Sequence, residues 1–151
     1  MPTIRTRSWV AAPIEQTWAF FDDPANLTRL MPPPIRIRPA RVEPSPPRTG
    51  TEIEFRYGLG PIQRSWTIRF LEHRPPELMV DETLSGPMRR FDHSHRFRRA
   101  SNGGTWIEDT IDFHVGPDGV LGAVADGVAG VVLRATFVWR QVRQRRLLRG
   151  R

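Results

Sequence analysis

Residues 66–97, WTIRFLEHRPPELMVDETLSGPMRRFDHSHRF, and residues 103–113, GGTWIEDTIDF, decide the fold. Apolar and polar residues alternate through three segments, the period of strands with one wet and one buried face. Yet the faces that this alternation turns inward also carry Glu82, His93, His95 and Asp109. Ionisable groups on an inner wall need partners or a polar ligand. The pattern therefore implies a sheet whose inner face borders a ligand cavity.

Turns set the expected register. Pro75-Pro76, Ser85-Gly86-Pro87-Met88 and Ser101-Asn102-Gly103 separate the segments, and all are short enough to join antiparallel neighbours. Pairing Leu84 with Arg89 sets Glu82 opposite Phe91 and Val80 opposite His93. A loop at 101–103 sets Phe97 opposite Ile107 and His95 opposite Asp109. The alternative, a tight Asn-Gly turn, would turn Ile107 and Phe113 outward, and is rejected on that ground. By the same logic Trp66 falls near Glu82 and Ile68 near Val80. The expected cavity wall is Trp66, Ile68, Val80 and Glu82 with Phe91, His93, His95, Asp109, Ile111 and Phe113.

Working outward, residues 3–11 read as a first strand, ended by Ala12-Pro13. Pro13 suits a first helical turn, and Ile14, Trp18 and Phe21 fall on one helical face. Asp23-Pro24 repeats the start signal, and Leu27, Leu30 and Met31 form a second short stripe before Pro32-Pro33-Pro34 stops it. From Ile35 the period becomes two. Strands are expected from Ile35, at 51–57, 62–71, 77–84, 89–99 and 105–115, with turns at Pro44–Gly50 and Gly58-Leu59-Gly60.

After Gly116-Pro117-Asp118 the remainder reads as one helix. Leu121, Val124, Val128, Val131, Ala135, Val138 and Val142 recur at helical spacing, a stripe expected to cover the polar-lined face, with Val124 and Val128 reaching the ligand. Gly119, Gly122, Gly127 and Gly130 leave space beneath the helix or allow close packing.

The chain has 151 residues, a net charge of +7 and no cysteine. That length fits one domain able to bury about two-thirds of its unfolded surface; the expected division is a domain at 1–146 and a basic tail at 147–151. Disulfides and thiolate metal sites are excluded. The N-terminus lacks an apolar leader segment, and the weakly polar run Val120–Leu133 is broken by glycine and too short to span a bilayer, so a soluble, cytoplasmic protein is expected. All basic residues are arginine, and Arg140, Arg143, Arg145, Arg146, Arg149 and Arg151 crowd the end. No aromatic residue is interleaved there for base stacking, so no specific nucleic-acid partner is expected. There is no Gly-x-Ser-x-Gly elbow and no phosphate-cradling glycine loop, which removes a serine hydrolase and a nucleotide fold.

The order of elements resembles the START-like helix-grip fold of the SRPBCC superfamily, which includes the birch-pollen allergen and the polyketide cyclases. The likeness covers nearly the whole chain. It rests on Pro13 with Trp18-Ala19-Phe20-Phe21, Asp23-Pro24-Ala25-Asn26-Leu27, Pro32-Pro33, Pro75-Pro76, Val80-Asp81-Glu82, Gly86-Pro87-Met88, His93-Ser94-His95-Arg96-Phe97 and Gly103-Gly104-Thr105. The resemblance implies an α+β helix-grip fold: a curved seven-stranded antiparallel sheet and two short helices, with a long C-terminal helix over an apolar cavity. It also implies a bacterial ligand-binding branch.

Fold does not select function. The first expectation is binding or transport of a small to medium hydrophobic ligand, such as a lipid, isoprenoid or polyketide-like molecule, by a monomer or homodimer without cofactor. The balance favours a non-enzymatic binding protein. The alternative is a cofactor-free cyclase or dehydratase in which Asp109 orients His95 as general base; the same pair also serves as a structural hydrogen-bonded couple. No metal site is expected, although two histidines and two carboxylates have acceptable ligand chemistry. A third reading uses the arginine-rich helix end as an interaction module.

Overall fold

The computed structural model describes residues 1–149, and Gly150 and Arg151, the end of the expected basic tail, lie outside the described residues. The chain opens with β1 (Thr3–Val10), whose alternation buries Ile4, Ser8 and Val10. Pro13 then stands at the helix-entry position of α1 (Ile14–Asp22), which turns Ile14 and Trp18 inward. The Asp23 carboxylate accepts the Ala25 amide at 3.0 Å, capping a short 3-10 turn at Pro24–Asn26 that leads into α2 (Leu27–Leu30).

Six strands follow: β2 (Arg36–Glu43), β3 (Glu52–Leu59), β4 (Ile62–Arg74), β5 (Leu78–Ser85), β6 (Arg90–Arg99) and β7 (Thr105–His114). They form one seven-stranded antiparallel sheet in the order β1-β7-β6-β5-β4-β3-β2. The two short helices thus carry the chain from one edge of the sheet to the other. Bulges fall between Pro39 and Arg41 in β2 and between Phe70 and Glu72 in β4. The second puts Leu71 outside and brings His73 onto the same side as Phe70, where His73 Nε2 meets Asp22 Oδ1 at 2.6 Å and ties α1 to the sheet.

The β6–β7 ladder has the expected register, with Phe97 opposite Ile107 and His95 opposite Asp109. The β5–β6 ladder does not. Asp81 lies opposite His93 and Glu82 opposite Asp92, one residue away from the expected pairing. Because side chains alternate, a one-residue slip exchanges the faces. Val80 and Glu82 therefore leave the cavity wall, and Glu82 forms a 2.6 Å ion pair with Arg69, its ladder partner on β4. Trp66 and Ile68 keep their inward aspect, but their β5 neighbour is Thr83 rather than Glu82 or Val80.

The long helix α3 (Val120–Leu147) lies over the β1–β7 side of the sheet. Its orientation is opposite to that expected. Leu121, Val124, Val128, Val131, Val138 and Val142 are exposed, with Val124 at 61% and Val128 at 63%. The face that packs inward instead carries Gly122, Asp126, Leu133, Phe137, Arg140 and Gln144. Polar anchors explain this choice. Asp126 accepts the Val115 amide at 2.7 Å and meets His114 Nδ1 at 2.8 Å, while the Gln144 amide donates to Ser8 Oγ at 3.0 Å. Gly122 lets the entering loop fold back on the first turn of the helix, since a Cβ there would stand 1.7 Å from the Pro117 carbonyl oxygen. The extent of α3 is the expected one, taking up the chain after the loop at 116–118 as far as Leu147. At 28 residues it is long and apolar enough to cross a membrane by length and composition alone, yet it is the helix that the sheet grips.

Two apolar clusters result. One joins Val10, Trp18, Phe97 and Ile107 to Leu148, which follows α3 and is fully buried. The other, Ile4, Phe91, Ile111, Phe113, Leu133 and Phe137, fills the space between α3 and the sheet.

Candidate functional site

Between the two clusters the sheet and helices leave a cavity of about 310 Å³. β2, β3 and β4 supply one apolar side through Ile37, Ile53, Phe55 and Trp66. Phe20 and Phe21 of α1, with Leu27 and Met31 at α2, close the opposite side. The Trp66 indole donates from Nε1 to Thr83 Oγ1 at 2.9 Å, which fixes the ring as a wall. Gly86 makes room for it, because a Cβ there would lie 2.4 Å from Trp66 Cδ1.

Polar groups converge at one place in this lining: Asp81 from β5, His93 and His95 from β6, and Arg140 from α3. All four are buried. Asp109 of β7 sits behind the histidines, outside the cavity lining, where His93 Nε2 lies 3.2 Å from its Oδ1. An ionised carboxylate only accepts, so His93 donates there from Nε2. His95 Nδ1 is 2.6 Å from the same oxygen, at ion-pair distance but off the line of a hydrogen bond. The two imidazole rings are 3.8 Å apart between centroids.

Burial governs the charge states. It pushes the Asp81 carboxyl up to about 8, more than the attraction of Arg140 offsets, so Asp81 is protonated at neutral pH. It pushes His93 down to about 3, helped by its His95 neighbour, so His93 is neutral. Burial also works against ionisation of Asp109, but the adjacent His95 and the hydrogen bond from His93 hold that carboxyl well below its usual range. Arg140 is lowered by burial and partly restored by Asp109 and Asp81. The cluster thus pairs one firmly ionised carboxylate with imidazoles, and sets a proton-bearing carboxyl beside a guanidinium at the cavity surface.

Of the residues expected to touch ligand, Trp66, Ile68, Phe91, His93 and His95 line the cavity. Val80 and Glu82 lie on the outer face for the register reason given above. Ile111 is fully buried in the packing beneath α3, and Phe113 borders a separate open groove between the N-terminus and α3. Val124 and Val128 point to solvent because the helix presents its other face. Asp81, Thr83, Met79 and Arg140 take the places that sequence reasoning had given to Glu82, Val80 and the two valines. Asp81, His93 and His95 bring ligand atoms within 4.8 Å of one another, a spacing able to hold a metal ion, although the nearby Arg140 charge opposes a cation there.

Comparison with known proteins agrees with this architecture. Among solved structures, a Rhodobacter sphaeroides protein superposes with a TM-score of 0.76 at 20% identity, covering 97% of this chain and 91% of that one. Ara h 8.0201 gives 0.65 at 14% identity, over 93% and 95% of the two chains. The di-domain ARO/CYC BexL from the BE-7585A biosynthetic pathway gives 0.69 at 16%, over 95% of this chain and 46% of that one. At these identities the likeness is one of fold. No curated protein matches the chain. The family described as polyketide cyclase / dehydrase and lipid transport matches residues 10–142, most of the chain, so the chain belongs to that family, within the SRPBCC superfamily.

Proposed function

We propose that the protein binds a small to medium hydrophobic molecule bearing one polar group, with the apolar body against Phe55, Trp66 and Phe91 and the polar end at Asp81, His93, His95 and Arg140. The observation that carries this reading is the segregation of the cavity lining: largely apolar walls with one buried ionisable pole built from three different elements, the remaining acids of the lining, Asp22 and Asp23, being more exposed and at the end of α1. Apolar burial contributes about 25 cal/mol per Å² removed from water, while a few fixed polar groups set orientation. Family membership supports hydrophobic ligand binding in general terms. The test is extraction of gently purified protein followed by mass spectrometry, with thermal shifts against fatty acids, quinones and aromatic polyketides. A retained amphipathic molecule or a saturable shift is expected; neither in any class removes the proposal.

A second reading is favoured by one contact. His95 lines the cavity and lies 2.6 Å from the buried Asp109 carboxylate, a charge that favours proton uptake by the imidazole. On this reading His95 takes a proton from an acidic carbon or hydroxyl of a polyketide-like substrate, as a cofactor-free cyclase or dehydratase requires. Turnover of such a substrate by wild type, lost in His95→Gln, is the result expected.

A further inference from the structure

Arg140 is 8% exposed, lines the cavity, and leaves its Nε without a hydrogen-bond partner. Among the described residues no carboxylate oxygen lies within 4.0 Å of its guanidinium. The Phe137 ring centroid lies 4.7 Å from the guanidinium carbon. Neither neighbouring acid completes a pair. Asp81 retains its proton at neutral pH, and Asp109 is held by the two histidines. A buried guanidinium is a persistent charge that does not neutralise itself, and its planar fork matches a carboxylate at two points. A desolvated cation aimed into an apolar cavity is a site for an anion.

We infer that the ligand is an amphipathic organic acid whose carboxylate pairs with Arg140 while its apolar body fills the cavity. This rests on the reading of the cavity as a ligand site and adds the chemical class. Asp81, as a protonated carboxyl, supplies a hydrogen-bond donor to the same headgroup, and the Phe137 ring stands within cation–π distance of the guanidinium.

Calorimetric titration of the full chain with matched probes tests it: decanoate against decanol, and naphthoate against naphthol. Wild type is expected to bind each acid at least about tenfold more tightly than its neutral partner, and Arg140→Met to bind the two members of each pair alike. Equal affinity for acid and alcohol in wild type overturns the inference and leaves the cavity reading standing. Failure of both probe types, together with an empty extract, overturns the cavity reading itself. The wild-type comparison decides the matter even if the variant does not fold.

A separate observation concerns the outward face of α3. Leu121, Val124, Val128, Val131 and Val138 are each more than 60% exposed, and Val132 and Trp139 extend the same apolar surface. The only acid in α3, Asp126, is turned inward, whereas Arg134, Arg145 and Arg146 are exposed. A helix face that is apolar along its length and bears only positive charge fits an anionic bilayer surface, with valines in the acyl boundary and arginines at the headgroups. A second copy of the same face would offer those arginines no carboxylate. We propose that α3 docks on anionic membranes, lying in the interface.

Vesicle sedimentation reads this directly. Phosphatidylglycerol vesicles are expected to retain the protein at least about tenfold more strongly than phosphatidylcholine ones. Val128→Asp with Val131→Asp, both at solvent-exposed positions, should abolish retention with the fold intact by circular dichroism. Retention unchanged in that variant, or a stable dimer in solution that ignores both vesicle types, overturns the proposal.

Discussion

Asp81 stands directly opposite His93 in the β5–β6 ladder, and burial drives both to their uncharged forms. Their linkage to stability has opposite signs. From its ordinary 3.8 to about 8, the folded chain keeps a proton on Asp81 that the unfolded chain has lost, so stability falls as pH rises. Between about 3 and 6.5 the unfolded chain binds a proton at His93 that the folded chain refuses, so stability rises with pH.

The two contributions cancel where they overlap and leave Asp81 alone between 6.5 and about 8. Across that window wild type should lose about 2 kcal/mol relative to Asp81→Asn, at roughly 1.4 kcal/mol per pH unit. Urea midpoints of the two proteins measure it. Parallel curves would mean that Asp81 is ionised in the folded state.

His95→Gln separates the two functional readings. It removes a proton acceptor at the cavity surface while preserving much of the side-chain volume. A purely binding protein should keep its ligand affinity within about threefold and show no turnover in either form. A cyclase should keep affinity and lose turnover by a factor of about 10² or more. Ligand titration and product analysis on the same preparations provide both readouts.

Legibility in the sequence followed the strength of the local signals. The β6–β7 register was readable because loop length and apolar pattern agreed, with Phe97, Ile107 and Phe113 all requiring burial. β5 was not, since Leu78-Met79-Val80 is apolar on both faces and its pattern does not fix parity. The strand also leaves β6 after Glu82 and continues along β4, so the apparent turn at 85–88 was a poor guide to pairing. In α3 two stripes share one period. The valines form the more hydrophobic stripe, but Asp126, Leu133, Phe137, Arg140 and Gln144 form the one that the sheet receives. The readable clue was a run of polar side chains recurring in step with Leu133 and Phe137. Hydrophobicity alone concealed it, and with it Arg140.

Gly86→Ala probes how the Trp66 wall is set. The added methyl would meet the indole at 2.4 Å, so the ring must shift toward the cavity or the 85–88 turn must open. Overpacking of this kind costs about 1–3 kcal/mol. The expected outcome is a lower melting temperature with altered tryptophan fluorescence and weaker ligand binding. A variant with wild-type spectrum and affinity would show that the turn absorbs the methyl and that Trp66 is not held by it.

The orientation of α3 yields the sharpest stability contrast. Val128 and Leu133 belong to the two competing stripes, one 63% exposed and the other buried against Ile4, Phe91 and Phe113. Truncating a buried leucine removes its transfer free energy and leaves a cavity, so Leu133→Ala should destabilise by about 2–4 kcal/mol. Val128→Ala removes only solvated methyls, and alanine is the better helix former, so its effect should lie within about 0.5 kcal/mol of zero. Chemical denaturation of both variants under one condition settles which face the sheet grips. The reverse order of the two effects would restore the valine stripe to the core and remove both Arg140 from the cavity and the apolar face from the surface.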